Sequence, residues 1–149
     1  MKLRYLAVVA LAAVSTLAQA QSKPEDLIRL RQGGLELLSR NVSALGAMAK
    51  GDVPFNKEAA TNSAEFVNLL APQIWQGFAP GTDKALPTRA NPKIWSDPEG
   101  FKAAQERLLA ALKKLPAGTG DAASLKTAMT DLSGACKNCH DNYRDSSYH

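Results

Sequence analysis

Apolar residues recur every three or four positions in four stretches of the chain, which is the period of an amphipathic α-helix. The first predicted helix opens with Ser22-Lys23-Pro24-Glu25, which matches a capping box with proline in the first turn. Gly51 and Pro54 end this helix. Its inward stripe is expected to contain Ile28, Arg31, Leu35, Leu38, Val42, Leu45 and Ala49.

The second helix is predicted to begin at the N-cap residue Asn56, and Pro72 should bend or loosen its last turns. Its expected inward positions are Ser63, Val67, Leu70 and Ile74. From about residue 78 to residue 95 the helical pattern gives way to Pro, Gly, Thr and Asn. We therefore predict one long connection here, and long connections in compact domains are often functional.

Two further helices follow this connection. Ser96-Asp97-Pro98-Glu99 repeats the start signal and opens the third helix, whose inward residues are Phe101, Ala104, Leu108, Ala111 or Leu112, and Leu115. After a short turn over residues 116–120, Asp121 is predicted to cap the fourth helix. Its inward stripe contains Leu125, Met129, Leu132, Cys136, Cys139 and Tyr143.

Four amphipathic helices of this length, with mostly short connections, predict an all-α fold: an antiparallel up-down-up-down four-helix bundle. No convincing period-2 strand and no internal repeat appears in the sequence. The same spacing could also describe a coiled coil, but Pro72 and the short turns argue against that alternative.

The first twenty residues have the features of an export signal. Lys2 and Arg4 form a basic start, residues 6–17 are mostly apolar, and Ala18-Gln19-Ala20 matches a signal peptidase site. The apolar run is shorter than the roughly 20 residues that span a bilayer. We predict a cleaved signal peptide over 1–20 and one domain over 21–149; a buried N-terminal helix is the alternative. With no second apolar segment, we expect a soluble, periplasmic protein without a membrane partner.

Composition narrows the function classes. The 149 residues carry a net charge of +4, and the predicted mature chain keeps 16 basic and 14 acidic residues, a net charge of +2. No cluster of Lys and Arg with interleaved aromatic residues occurs, so we expect no nucleic-acid partner. Two cysteines are too few for a disulfide-rich scaffold.

The two cysteines lie in Cys136-Lys137-Asn138-Cys139-His140. Positions i, i+3 and i+4 share one face of a helix, so two thiols and an imidazole come together. The thiols can add across the two vinyl groups of one flat macrocycle, and the imidazole can ligate its iron. CxxCH is accordingly the attachment motif of c-type haem. Behind an export signal, which this attachment requires, it predicts one covalent haem c with His140 as metal ligand.

Two other uses of these side chains are less consistent with the sequence. A thioredoxin-like redox pair would need a βαβ context, and no strands are predicted. A zinc site could use Cys136, Cys139, His140 and His149, but ligand pairs for zinc usually come from separated segments. His149 is more simply a terminal group in solvent.

A sixth iron ligand must come from upstream, because only nine residues follow His140 and none is methionine. Met129 lies eleven residues before His140 on the same predicted helix. At about 1.5 Å per residue it is roughly 16 Å away along the axis and cannot reach the far side of the ring. Met48, near the end of the first helix, is more consistent with flexible core filler.

Several segments together resemble cytochrome c′, the class II c-type cytochromes, over essentially the whole of residues 21–149. The segments that match the family pattern are 23–26, Leu30-Arg31-Gln32 with Leu35, Trp75 with Phe78-Ala79-Pro80-Gly81-Thr82, Ile94-Trp95-Ser96-Asp97 and residues 136–144. The resemblance implies an antiparallel four-helix bundle, usually a homodimer, with haem near one end of the bundle.

The resemblance also assigns roles to individual residues. It places Leu35 over the distal haem face, where the related low-spin cytochromes c-556 carry methionine. Arg31 and Gln32 would contact the haem periphery, and Arg144 would lie beside the proximal pocket. Trp75 and Phe78 would be both core and haem wall.

Physical arguments accompany two of these assignments. An inward Arg31 needs a counter-charge, either a haem propionate or a carboxylate such as Glu36. Arg144, four residues after His140, should stay on the same helix face, although a solvated charge favoured by the helix dipole is the alternative.

The resemblance implies a five-coordinate, high-spin haem protein that binds NO and CO and transfers electrons to an unidentified redox partner. We expect it not to be an enzyme, since no distal acid or base is evident. The alternative is a low-spin electron carrier similar to cytochrome c-556.

Overall fold

The computed structural model describes residues 22–146. The predicted signal peptide and His149 lie outside the described residues. The elements in chain order are α1 (Pro24–Lys50), α2 (Lys57–Ile74), a 3-10 helix (Trp75–Phe78), α3 (Lys93–Ser96), α4 (Pro98–Lys114), a 3-10 helix (Leu115–Gly118) and α5 (Ala122–Tyr143). The described part of the chain contains no strand beyond one isolated bridge between Ala90 and Arg144.

The long helices α1, α2, α4 and α5 form the predicted antiparallel four-helix bundle, which confirms the expected fold class. Each packs against its two neighbours, α1 on α2 and α5, and α4 on α2 and α5. The close approach of α1 to α2 uses Gly34, because an added Cβ there would lie 2.8 Å from Ile74 Cγ1. No helix among the described residues has the length and apolar character needed to cross a membrane.

The helix starts follow local chemistry, with one correction. The side chains of Asn56 and Asp121 accept hydrogen bonds from Ala59 N and Ser124 N, as the sequence predicted. At α4 the cap is Asp97, which accepts from Gly100 N. At α1 the capping box is wrong: the N-cap residue is Lys23 and its side chain makes no capping bond. Pro24 in the first turn, with its fixed φ and missing N–H, serves as the start signal there.

The inward stripes mostly match the prediction. Ile28, Arg31, Leu38 and Leu45 of α1 are buried. On α2 the buried face is rotated towards small residues: Ala60, Ala64 and Ala71 join Val67 and Ile74, whereas Ser63 and Leu70 are only half-buried. Small side chains let neighbouring helices approach closely. The exception on α1 is Leu35, which is 38% exposed although it lies on the inward stripe.

Two apolar clusters fill the bundle. The larger runs through its middle and includes Met48 and Met129, which confirms Met48 as core filler. The smaller lies at the end where α5 finishes and α4 begins; its buried members are Ile94, Phe101, Ala104 and Tyr143. Cys139 packs against this smaller cluster and Cys136 against the larger one. The CxxCH motif therefore lies where the two clusters meet.

The long connection over residues 79–92 crosses the same end of the bundle. Beyond it, α3 is a single turn that the sequence pattern did not predict. Trp95 of α3 donates from Nε1 to Phe78 O at 3.1 Å. This bond joins the two ends of the connection, because Phe78 belongs to the 3-10 helix that follows α2. The connection thus forms one wall at the CxxCH end of the bundle.

Candidate haem site

The CxxCH side chains share one face in the last turns of α5. Cys136 and Cys139 are half-buried free thiols, and His140 is exposed. Burial raises the pKa of both thiols, and for Cys139 the neighbouring Cys136 raises it further while Arg107 opposes the shift. Both side chains are therefore neutral thiols at neutral pH.

The imidazole of His140 is held in its neutral form. Desolvation is the largest cause that lowers its pKa; the positive charges of Arg144 and Arg89 add to it, and Asp141 opposes them. A neutral imidazole keeps a nitrogen lone pair available for a metal at neutral pH.

Leu35 lies level with His140 on the opposite side of the α1–α5 contact. An added Cβ on Gly46 would lie 3.7 Å from Met129 Cε, so these two residues lie within about one helical turn of the same level. Leu35 is eleven residues before Gly46, and His140 is eleven residues after Met129. Because α1 and α5 are antiparallel, both lie roughly 16 Å further towards the same end of the bundle. The exposed leucine and the imidazole therefore lie at the same end of the bundle, on two helices that pack against each other.

Arg31 is buried (1% exposed), as its place on the inward stripe predicted. Nη1 donates to Gly77 O at 2.7 Å and to Thr82 Oγ1 at 3.0 Å. Nη2 donates to Thr82 O at 2.8 Å and to Thr88 Oγ1 at 2.8 Å. Burial lowers the pKa of Arg31, while Asp83 opposes that shift. Neutral carbonyl and hydroxyl oxygens thus serve as the acceptors of this buried cation.

This network corrects one alternative. Glu36 is not the partner of Arg31, because Glu36 pairs with Arg40 one turn further along α1 at 2.9 Å. The guanidinium of Arg31 also lies 5.0 Å from the ring centre of Phe78 and 5.7 Å from that of Trp95. Such cation–π contacts add to the stabilisation of a desolvated charge. The haem contact that the family resemblance implies for Arg31 stays a prediction.

Gln32 is exposed and donates from Nε2 to Pro87 O at 2.9 Å. Both Arg31 and Gln32 therefore bind the long connection. Sequence reasoning identified Arg31 and Gln32 as candidate site residues but did not identify the residues that accept their hydrogen bonds. One of these acceptors, Thr82, lies in a segment that matches the family pattern.

Arg144 is the C-cap residue of α5, and its backbone N–H donates to His140 O at 3.2 Å, the bond expected four residues further along a helix. The helix ends at Tyr143, and Arg144 has an extended backbone with φ −111° and ψ 131°. Its positive charge lowers the pKa of His140. The backbone bridge to Ala90 holds the extended segment that begins at Arg144.

Four aromatic rings line this end of the bundle: Trp75, Phe78, Phe101 and Tyr143. The ring centres lie 6.1 Å apart for Trp75 and Phe78, 5.1 Å for Phe78 and Phe101, and 5.2 Å for Phe101 and Tyr143. Tyr143 donates from its hydroxyl to Asp97 Oδ2 at 3.0 Å. The rings connect the end of α2 with the last turn of α5.

The side chains present fit a c-type haem. Two neutral thiols at i and i+3 precede a neutral imidazole, and an apolar Leu35 lies opposite. Trp75 Nε1 is buried and has no hydrogen-bond partner among the described residues. A buried N–H without an acceptor is unfavourable by about 1–3 kcal/mol, and the propionates of a haem are groups that could accept from it. No group of three or more His, Cys, Asp or Glu side chains that could hold a metal ion occurs among residues 22–146.

Comparison with known proteins agrees with this geometry. Residues 26–144 match the model of the family described as Cytochrome C′. The chain is 41% identical over 125 residues to cytochrome c′ of Rubrivivax gelatinosus, covering 83% of this chain and 97% of that protein. The crystal structure of a Rubrivivax gelatinosus cytochrome c′ superposes with a TM-score of 0.80 at 40% identity, over 83% of this chain and 98% of the other.

Two structures of cytochrome c′ variants from Alcaligenes xylosoxidans are also similar, each at 32% identity. One is a ferrous variant with bound NO, with a TM-score of 0.77 over 85% of this chain and 98% of that one. The other is a variant with bound carbon monoxide, with a TM-score of 0.76 over 84% and 98%.

The bundle and the CxxCH motif at the end of its last helix define a class of c-type haem proteins built on four helices. Within that class, the match over residues 26–144 is specific. The chain belongs to the cytochrome c′ family, which carries covalent c-type haem. The predicted family and fold class are therefore confirmed.

Proposed function

We propose that this protein is a periplasmic haem protein that binds NO and CO and can exchange electrons with a redox partner. One haem c would be fastened by thioether bonds to Cys136 and Cys139, with His140 as the axial ligand of the iron. The observation that carries the proposal is the position of Leu35, which lies level with His140 across the α1–α5 contact. This position of Leu35 supports a haem site in which the protein ligates the iron from one side only, through His140.

The haem, when bound, supplies an iron with an open coordination position and a reversible change of charge. Leu35 has no atom that ligates iron, which favours a five-coordinate, high-spin state. It also offers no hydrogen-bond donor, and bound O₂ needs one more than CO or NO does. The NO-bound and CO-bound relatives support the same ligand class. We expect weak O₂ binding and stable binding of NO and CO.

Trp75, Phe78, Arg31 and Gln32 are proposed to line or approach the haem edge, and Arg144 to lie on the proximal side near His140. Leu35 itself supplies no general acid or base, and the whole sequence has only two histidines. We therefore propose a carrier or sensor rather than an enzyme. A cytochrome c-556-like, low-spin carrier is disfavoured because that type needs methionine where this chain has Leu35.

A homodimer is part of the proposal, and a surface across the α1–α2 seam is its candidate interface. Leu30 and Leu37 are 45% and 47% exposed and lie seven residues apart on α1, so they share one stripe. On a helical wheel this stripe lies next to the side of α1 on which Gly34 packs against α2. Phe66 is 40% exposed on α2, the helix that packs against α1. Exposed large apolar residues on neighbouring helices can form an interaction site.

Absorption and EPR spectra of the purified ferric and ferrous protein, with and without NO, test the haem proposal. We expect a covalently bound haem that resists acid-acetone extraction, a high-spin ferric signal and a spectral change on adding NO. A stable O₂ adduct of the ferrous protein, or a six-coordinate spectrum without added ligand, would contradict it. The mass of the purified protein tests export, since cleavage after Ala20 leaves Gln21 as the first residue.

Leu35→Met is the sharper variant, because it adds a ligating sulfur at the position level with His140. We expect the ferric spectrum to shift towards the low-spin form. Leu45→Met is the matched control: it makes the same change on the same stripe about 15 Å further along α1. Spectra that change equally in both variants would show that the assigned distal position is wrong.

A further inference from the structure

Thr88, in the long connection, joins two parts of the structure that lie on opposite sides of the candidate site. Its Oγ1 accepts one hydrogen bond from Arg31 Nη2 at 2.8 Å and another from Ala90 N at 3.1 Å. Arg31 lies on α1 four residues before Leu35, so one of these bonds reaches the distal helix. The other bond shapes the turn that leads into the bridge with the C-terminal segment.

The bridge itself holds the chain directly after α5. Asn91 N donates to Tyr143 O at 3.0 Å, and Asp145 N donates to Arg89 O at 2.8 Å. These bonds flank the antiparallel pair of Ala90 and Arg144. Arg144 N itself donates to His140 O at 3.2 Å, so the last helical bond and the bridge together hold the end of α5.

The bonds form a continuous path from α1 through Thr88 and Ala90 to Arg144, four residues after His140. We propose that Thr88 is a positioning residue: its hydroxyl ties α1 to the C-terminal bridge and so fixes the end of α5, with His140 and Arg144, relative to α1. This inference rests on the proposed function only in taking His140 as the iron ligand.

Thr88→Val in the haem-loaded protein keeps the shape of the side chain and removes the acceptor, and Thr88→Ser restores the hydroxyl. The matched control is Thr61→Val. Thr61 Oγ1 lies 3.0 Å from Thr119 Oγ1 at the other end of the bundle, so this variant also removes a partly buried hydroxyl bond. It leaves the bridge untouched.

Hydrogen exchange of single amides, followed by NMR, is the first measurement. In Thr88→Val we expect the amides of Asn91 and Asp145 to exchange about tenfold faster, because the bridge opens locally. The amide of Thr119, bonded to Pro116 O, should be unchanged. Thr88→Ser should restore wild-type exchange. Bridge amides that stay protected in Thr88→Val, or that open equally in Thr61→Val, would overturn the proposal.

The iron–histidine stretching band in the resonance Raman spectrum of the ferrous protein is the second measurement. We expect it to shift or broaden in Thr88→Val and to match wild type in Thr88→Ser and Thr61→Val. Faster exchange without any change in this band would overturn the positioning role and leave Thr88 as a structural tie. Failure of the proposed function is distinguishable from failure of this inference, because it would already appear in the spectra of the wild-type protein.

Discussion

Replacing Arg31 by methionine tests the buried network with a side chain of similar length and no charge. Gly77 O and Thr82 O would lose a charged donor, and a buried acceptor left unpaired costs about 1–3 kcal/mol, or about 2–6 kcal/mol for both. The Thr82 hydroxyl keeps a bond to Ala79 O, and the Thr88 hydroxyl keeps its bond from Ala90 N. These two groups should therefore add little.

The substitution also removes an unfavourable contribution, because a guanidinium no longer has to be taken out of water. Removing this desolvation cost offsets the loss of stability by about 1–3 kcal/mol. We expect a net loss of about 1–3 kcal/mol in the free energy of unfolding for Arg31→Met. Urea denaturation of the haem-loaded protein, followed by far-UV circular dichroism, measures it as a fall in the midpoint.

Arg29→Met is the control on the same helix. Arg29 and its partner Asp26, 3.1 Å away, are both largely exposed, so the loss should stay within about 0.5 kcal/mol. An Arg31→Met protein that unfolds at the same urea concentration as wild type would refute the reasoning. It would show that the four acceptors contribute no net stability.

Three further predictions follow from the packing, the caps and the proposed interface. Gly77→Ala should destabilise the bundle by about 1–3 kcal/mol, because its Cβ would collide with α1. Gly33→Ala is the control: open space surrounds Gly33, so this variant should stabilise the protein by up to about 1 kcal/mol. Thermal unfolding compares the two variants. Hydrogen bonds from the Ser124 backbone and side chain lower the pKa of Asp121, so its folded form binds fewer protons than its unfolded form. The contribution of this cap is therefore fully present above the ordinary pKa of 3.8 and lost as pH falls through the lowered value. The Tm difference between wild type and Asp121→Ala should shrink as the pH falls below 3.8. Leu37→Asp should turn the proposed dimer into a monomer in light scattering, while Val53→Asp, a similarly exposed position outside the seam, should not; a dimer that survives Leu37→Asp would place the interface elsewhere.

Short-range chemistry accounts for what sequence reasoning predicted correctly. The caps at Asn56 and Asp121 depend on a side chain and an amide three residues later, and both were predicted. The capping box at Ser22 failed although its pattern was complete, because Pro24 in the first turn already starts the helix without it. Local patterns thus predict where a helix begins more reliably than which residue caps it.

Positions that depend on packing were harder to predict. The inward stripe of α2 shifted from Ser63 and Leu70 to alanines, because the stripe that faces a close neighbour favours small side chains. The short helix α3 also carries too few residues for a periodic pattern. Neither feature can be derived from one helix in isolation.

By itself, the sequence determined that this is an all-α chain with two thiols and an imidazole on one helix face, since both properties depend on residues within a few positions of each other. The tertiary structure alone decided which residues meet across the chain. Arg31 finds acceptors 46 to 57 residues away, Leu35 and His140 come to the same end of the bundle through the antiparallel register of α1 and α5, and Ala90 pairs with Arg144 where α5 ends. Hydrogen bonds and register between distant segments exist only once the helices have packed, so no local pattern encodes them.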